Sequence, residues 1–318
     1  KKENFCIGIL EPNEFSEDVI KQLKQLGSVV QFDGVSQQVF LSNVNALFVR
    51  LGHRIDAKFL EDCPNLKYLC SPTTGHNHID EGELKQRGIE LISLRGEREF
   101  LETIRATPEH TFGLIMALLR NYKSALTHVD DGRWDRDQLR GEELYGQTVG
   151  IIGLGRVGYR LAEYCEAFGA NVVYCDQEAV PANTKWKNLQ TIEAVIKASL
   201  IVVLTASYEK GMPHIIGFKE IALLKGRYFI NTARGELVDE SALLSAISNN
   251  FLKGFATDVI ASETESNNLA YWRELATERS NCIITPHIAG ATRGSMARTE
   301  SYIAARLLSH LSQTVKKI

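Results

Sequence analysis

The chain has 318 residues, 44% of them hydrophobic and 24% charged, with a formal net charge of -3. Its length is about twice that of a usual single domain, so two domains are expected. The balanced charge gives no whole-chain attraction to nucleic acid or an anionic membrane, and no apolar run reaches the roughly 20 residues of a membrane span.

The N-terminal segment KKENFCIGIL runs straight into a strand pattern, with no signal-peptide core or cleavage site. A cytoplasmic protein is expected. Cys6, Cys63, Cys70, Cys165, Cys175 and Cys282 are scattered and form no CxxC pair. They read as buried, reduced thiols, and no metal site is expected.

In chain order, short β-branched runs alternate with longer amphipathic stretches, the pattern of a parallel α/β protein. The first series of strands is FCIGIL, VVQF, ALFVR, LKYLCS and IELIS, with helices between them such as Ser16 to Leu26. One long helix is expected from Thr103 to Arg120, with Phe112, Ile115, Leu118 and Leu119 as its apolar stripe. The polar segment HVDDGRWDRDQLRGEELYG reads as a surface connector. A second series comes after it: TVGIIG, NVVYCD, LIVVLT, RYFINTA, KGFATD and CIITPH. A last amphipathic helix, Gly294 to Gln313, places Met296, Ile303, Leu307 and Leu311 on one face.

The second series opens with VGIIGLGRVGYRLAEYCEAFGANVVYCD. A buried strand runs into Gly153, Gly155 and Gly158, a helix comes next, and a second strand ends on Asp176. The first glycine permits a tight turn, the second lets backbone approach a pyrophosphate, and the third lets helix pack on strand. The amides of Arg156 and Val157 then sit at a helix N-terminus, which favours an anion. Strand, glycines, helix and terminal acid agree in position, which a lone glycine motif would not offer. Asp176 would accept from ribose hydroxyls and repel a 2′-phosphate, and Gln177 adds no positive charge. NAD is the expected cofactor.

Three further segments of the second series end a strand on a polar or charged group: FINTARGELVDESAL, FATDVIASE and IITPHIAGAT. Carboxyl ends of strands in a doubly wound sheet face the ligand crevice. Arg234, Asp258, Glu263 and His287 are thereby offered to one site.

Together with SPTTGHNHID, TPEHTFGLIMALLR and GRW at 132–134, these motifs make the chain resemble the D-isomer-specific 2-hydroxyacid dehydrogenases over nearly its whole length. That group includes D-3-phosphoglycerate dehydrogenase and hydroxypyruvate reductase. The resemblance implies two Rossmann-like or flavodoxin-like doubly wound domains with a cleft between them. Residues 1–103 plus 288–318 would bind substrate, and 104–287 would bind NAD. The reaction implied is hydride transfer between nicotinamide and C2 of a small 2-hydroxy or 2-oxo acid.

The resemblance also implies roles. His287 would handle the proton at the C2 oxygen, since imidazole titrates near neutral pH. Glu263 would pair with it and favour imidazolium. Arg234 would hold the substrate carboxylate, in a bidentate geometry that lysine lacks. Asp258 would contact the nicotinamide carboxamide, with Thr205, Thr232, Ala233 and Gly290 lining the cofactor. Thr74, Gly75 and His76 match a loop whose amides take the substrate carboxylate, and Arg50 matches a substrate-side arginine. A homodimer through the nucleotide domain is implied, with the Thr103–Arg120 helix as contact.

The chain also departs from the family. The loop SLRGEREFLETIRATPEH is elongated and carries Arg95, Arg98 and Arg105. With Arg50 and Arg54 it raises the expectation of a substrate bearing a second anionic or strongly polar group, such as a phosphate. Thr205-Ala206-Ser207 replaces a His-x-Pro element, and Thr264 stands where a proline usually follows the acid. No regulatory domain is expected after the last helix. The sequence leaves open an NAD-sensing binding protein of the same fold with little turnover.

Overall fold

The computed structural model describes residues 5–178, 184–263 and 268–316. The turn expected at Thr264 lies outside them. In the first series, β1 (Cys6–Ile9), β2 (Ser28–Gln31), β3 (Ala46–Phe48), β4 (Tyr68–Ser71) and β5 (Glu90–Ser93) pair in parallel, in the order β2-β1-β3-β4-β5. The winding reverses between β1 and β3, so the loops after these two strands adjoin at a topological switch point.

Both faces of this sheet are buried. Ile7, Ile9, Phe48 and Cys70 pack against Val19, Ile20 and Leu23, and against Ile303, Ala304 and Leu307 of the last helix, Arg293–Lys316. Leu47, Val49 and Leu69 pack on the other side with Leu41, Phe59, Leu60 and Leu84. This unit comprises Lys1–Ile104 and Ala291–Ile318.

The second unit, Arg105–Gly290, holds seven parallel strands. They are β6 (Thr148–Ile152), β7 (Asn171–Cys175), β8 (Lys187–Asn188), β9 (Ile201–Leu204), β10 (Tyr228–Asn231), β11 (Gly254–Thr257) and β12 (Cys282–Ile284). Their order is β12-β11-β10-β9-β6-β7-β8, with the switch point between β6 and β9. The strands β9, β10 and β11 are buried at every position, as continuous apolar runs in a sheet covered on both faces must be. Val202, Leu204 and Phe229 face one core, and Ile201, Val203 and Ile230 the other. The two-residue β8 has no hydrophobic pattern of its own and was not expected from the sequence.

Two helices differ from expectation. The helix expected from Thr103 starts at Ala106 and ends at Leu119. Pro108 explains the start: it cannot donate a backbone hydrogen bond, so it fits only the first turn. A separate short helix, Arg98–Leu101, precedes it. The apolar residues Leu114, Ile115, Leu118 and Leu119 are buried within the second unit's own core. A helix from Tyr122 to Asp130 runs into the start of the connector, which also holds a 3-10 turn at Asp137–Leu139.

Five of the six cysteines are buried and all are free thiols. Burial pushes the thiol pKa up to about 12 at Cys63 and Cys165, and to about 11 at Cys175 and Cys282, which removes thiolate reactivity. Among the described residues no cluster of histidine, cysteine or acid is arranged to hold a metal ion, and no helix is long and apolar enough to cross a membrane.

Lys123 braces the second unit. Its ammonium donates to the carbonyls of Ala276, Arg279 and Cys282, the last two at 2.9 Å, at the C-terminal end of the helix Leu269–Glu278 and in β12. Three protons meet three carbonyls, two of them at the helix end, where intrahelical partners are lacking, and one in the strand. Lys123→Met keeps the apolar stem and deletes the donors. It is expected to lower the unfolding free energy by about 1–3 kcal/mol, measured by urea denaturation. An unchanged midpoint would refute the brace.

Candidate active site

The loop after β6 is built by close approach. Gly153 has φ of 94°, a conformation that disfavours any side chain. At Gly158 a Cβ would stand 2.2 Å from the Gly153 carbonyl oxygen, so any side chain would force the helix Arg156–Ala167 off the strand. Gly155 is the opposite case: it is the N-cap of that helix, and a Cβ there would meet no protein atom within 4 Å. The half-buried Arg156 and Val157 open the helix beside it. Thr205, after β9, donates its hydroxyl to the Gly153 carbonyl at 2.7 Å and so locks the two loops of the switch point together. Asp176 closes the third side, accepting from Leu154 N at 2.5 Å and Glu178 N at 2.8 Å. An open glycine edge, a helix N-terminus and a terminal carboxylate fit the pyrophosphate and ribose of a dinucleotide.

On the other side of the switch, β10, β11 and β12 deliver their C-terminal ends to one edge of the sheet. Asn231, 2% exposed, ends β10 and folds the next turn. Its side chain accepts from Ala233 N at 3.0 Å and donates to Arg234 O at 3.0 Å. Thr232 is buried and shares a hydroxyl contact of 2.8 Å with Thr111. Arg234 donates to Ala233 O at 2.6 Å. Burial pushes its pKa below the ordinary guanidinium value, while Glu263 and Glu236 pull the other way. Gly235 leaves room for the segment after β11, since a Cβ there would lie 2.0 Å from the Ile260 carbonyl carbon. That close approach brings the segment carrying Glu263 against the Arg234 turn.

Glu263 meets His287 with Oε2 at 2.6 Å from Nδ1. With Nδ1–H donated to the carboxylate, Nε2 is the nitrogen left for proton transfer. His287 has φ of 53°, a left-handed backbone that a β-substituted residue adopts only under constraint. The constraint is Asp258, whose side chain is 1% exposed. Its backbone carbonyl accepts from His287 N at 2.9 Å. Its carboxylate accepts from Ile288 N at 2.9 Å, Ala289 N at 2.7 Å and the Thr285 hydroxyl at 2.5 Å. His110 Nε2 lies 3.0 Å from Thr285 Oγ1 and 3.5 Å from Asp258 Oδ1. Burial works to raise the Asp258 pKa, but the donors, with His110 and Thr285 foremost, outweigh it and hold it below the ordinary aspartate value. The Asp258 carboxylate thus fastens the His287 turn. Gly290, which ends this turn, is exposed.

In the first unit, Thr74, Gly75 and His76 lie in the loop after β4. Thr74 is exposed, whereas the His76 ring is buried and contacts Glu81 Oε1 through Nδ1 at 3.1 Å. Burial, then the nearby Arg95 charge, pushes the His76 pKa below the ordinary imidazole value, so the ring is neutral at neutral pH. Arg95 pairs with the same Glu81 oxygen at 2.8 Å rather than with the acids of its own loop. Glu97 of that loop instead takes Tyr302 and Arg306. Arg54 stands 3.5 Å from Asp56. Arg50 pairs with Glu300 at 2.5 Å.

Sequence reasoning missed Asn231, His110 and Glu300. The first carried a signal, a polar residue closing an apolar strand in FINTARG. His110 lay within TPEHTFGLIMALLR, a motif read only as a marker of resemblance.

The comparisons agree with this geometry. The family model described as D-isomer specific 2-hydroxyacid dehydrogenase, NAD binding domain, matches residues 112–289. The chain is 32% identical over 290 residues to a glyoxylate reductase of Thermofilum pendens, covering 87% of this chain and 82% of the relative. It is 29% identical over 308 residues to a D-3-phosphoglycerate dehydrogenase of Methanocaldococcus jannaschii, covering 95% of this chain but 57% of that relative. A D-lactate dehydrogenase from Aquifex aeolicus, solved with NAD and lactic acid, is similar with a TM-score of 0.83 and 26% identity, over 98% of this chain and 97% of that one. Parallel sheets of this order with a glycine-rich loop at the switch point define a dinucleotide-binding α/β class. Within it, the chain belongs to the D-isomer specific 2-hydroxyacid dehydrogenase family.

Asp258 generates a prediction. Both of its oxygens accept from N–H or O–H donors, so in Asp258→Asn an amide NH₂ must face a donor whichever way it is turned. The variant is expected to lose about 1–3 kcal/mol of stability and to turn over more slowly. A native melting temperature would contradict this account.

Proposed function

We propose that the protein reduces a small 2-oxo acid to the D-2-hydroxy acid with NADH. The observation that carries this reading is the 2.6 Å contact between His287 Nδ1 and Glu263, at the same sheet edge as Arg234. Bound NADH supplies the hydride for C2. The chain's residues supply the rest. His287 Nε2 gives a proton to the C2 oxygen, and Glu263 holds the ring in the tautomer that can do so. Arg234 fixes the substrate carboxylate, and its burial makes that charge effective because little water screens it. The amides of the Thr74–His76 loop are the proposed second hold on the carboxylate. Asp176 selects NADH by repelling a 2′-phosphate.

The sequence left open a phosphorylated substrate, as in the phosphoglycerate dehydrogenases. Three of the five arginines behind that expectation have acid partners within the chain: Arg50 with Glu300, Arg54 with Asp56, Arg95 with Glu81. An acid with an uncharged tail, of the glyoxylate or hydroxypyruvate kind, therefore fits better. The relatives include glyoxylate reductases and D-3-phosphoglycerate dehydrogenases at similar identity, so the ion pairs alone carry this choice.

Steady-state assays with a panel of 2-oxo acids and NADH test the reading. His287→Ala is expected to lower kcat on the order of 10²–10⁴ with NADH affinity nearly intact. Glu263→Gln is expected to lower kcat less, again with NADH affinity nearly intact. Cofactor binding without turnover of any acid would favour the NAD-sensing alternative.

We also propose a homodimer. One side of the helix expected at the contact packs within its own unit, and exposed apolar residues stand after it in the chain: Leu126 (67%), Val129 (53%) and Trp134 (90%). Ion pairs Arg133–Asp131 and Arg140–Asp137 flank Trp134 with both signs, which lets one copy face another across a two-fold axis. Leu126→Glu is expected to shift light-scattering mass from dimer to monomer; a native protein that is already monomeric rejects the interface.

A further inference from the structure

The switch point of the first sheet has the parts of an anion site. After β3 the backbone N–H groups of Arg50 and Gly52 converge on one carboxylate, and the same residue, Arg50, carries a guanidinium. Converging amides and a guanidinium are what a phosphate or carboxylate binds. Here each part is taken by a carboxylate of the chain itself. Glu11, from the loop after β1, accepts from Arg50 N with one oxygen and from Gly52 N, at 2.7 Å, with the other. The seat is close-fitting: a Cβ on Gly52 would come within 2.6 Å of Glu11 Oε1.

Glu300 comes from the last helix. Its Oε1 accepts from Arg50 Nε at 3.2 Å and Nη2 at 2.5 Å, and its Oε2 accepts from Ser16 N at 3.2 Å. The Glu300 side chain is 1% exposed and that of Arg50 17%. The third guanidinium nitrogen donates to Asn13 O at 2.8 Å. The buried Glu300 carboxylate thus neutralises the Arg50 charge while Glu11 holds the two amides. A further anion would have to displace a carboxylate or sit beside one, where repulsion opposes it.

We propose that Glu11 and Glu300 are internal counter-anions that plug this cradle and so restrict the enzyme to substrates whose only anionic group is the 2-oxo carboxylate. The inference rests on the reading of the reaction given above and names its specificity determinants.

Glu300→Gln keeps the shape and an acceptor for Arg50 but removes one negative charge. The ratio of kcat/KM for phosphohydroxypyruvate to that for hydroxypyruvate, with NADH, is expected to rise about ten- to hundredfold over the native ratio. Inorganic phosphate, at matched ionic strength, is expected to raise the Tm of the variant and not that of the native protein. An unchanged ratio and a phosphate-independent Tm in the folded variant overturn the proposal. Glu11→Gln, at a more exposed position, gives the same two readouts with the same expected direction if Glu300→Gln does not fold. A native protein that prefers the phosphorylated acid overturns the proposal with no variant at all. If the native protein turns over neither acid while phosphate still stabilises Glu300→Gln, the plug stands and the reading of the reaction falls.

Discussion

The Asp258 carboxylate is the constraint on which the candidate site depends. A left-handed backbone at a non-glycine residue costs roughly 1–2 kcal/mol, and His287 has one. The cost is borne because Asp258 takes the two amides that follow His287 with its side chain and the His287 amide with its carbonyl. The imidazole is thereby aimed by backbone geometry rather than by its own rotamer alone. Glu263 then has only to meet a ring already directed toward it. Asp258 itself is set by β11, since its amide donates to Asn231 O at the end of β10. Two neighbouring strand ends and one buried acid thus fix the turn after the third.

The same economy appears in how acids are used elsewhere. Every acid that the structure places near a functional loop has backbone or side-chain donors of the chain around it. Asp176 holds the loop after β6, Glu81 joins His76 to Arg95, and Glu11 joins two loops of the first unit. These acids act as fasteners of irregular backbone, which is where a parallel sheet has no ladder to do that work.

The sequence made the regular parts legible because they are local. Strands β6 and β9–β12 are apolar runs bounded by polar residues, and the glycine loop declares itself within thirty residues by spacing. The start of the Ala106 helix was misplaced because periodicity continues through Thr103 while Pro108 sets the boundary. Pairings such as Arg50 with Glu300, 250 positions apart, leave no trace in any window. Arg50 read alone looks like a ligand group; only the fold reveals the acid that claims it. Asp258 illustrates the same limit, since four donors from two distant segments decide what its carboxylate does.

The first unit is discontinuous, and that has a consequence for how the protein is made. Its sheet comes from the start of the chain, but Ile303, Ala304 and Leu307 of its core come from the last helix. The second unit is one continuous segment. During synthesis the second unit can therefore complete its core as soon as residue 290 has emerged, while one face of the first sheet remains without its covering helix. One face of the first sheet is therefore covered only once the helix Arg293–Lys316 has been made.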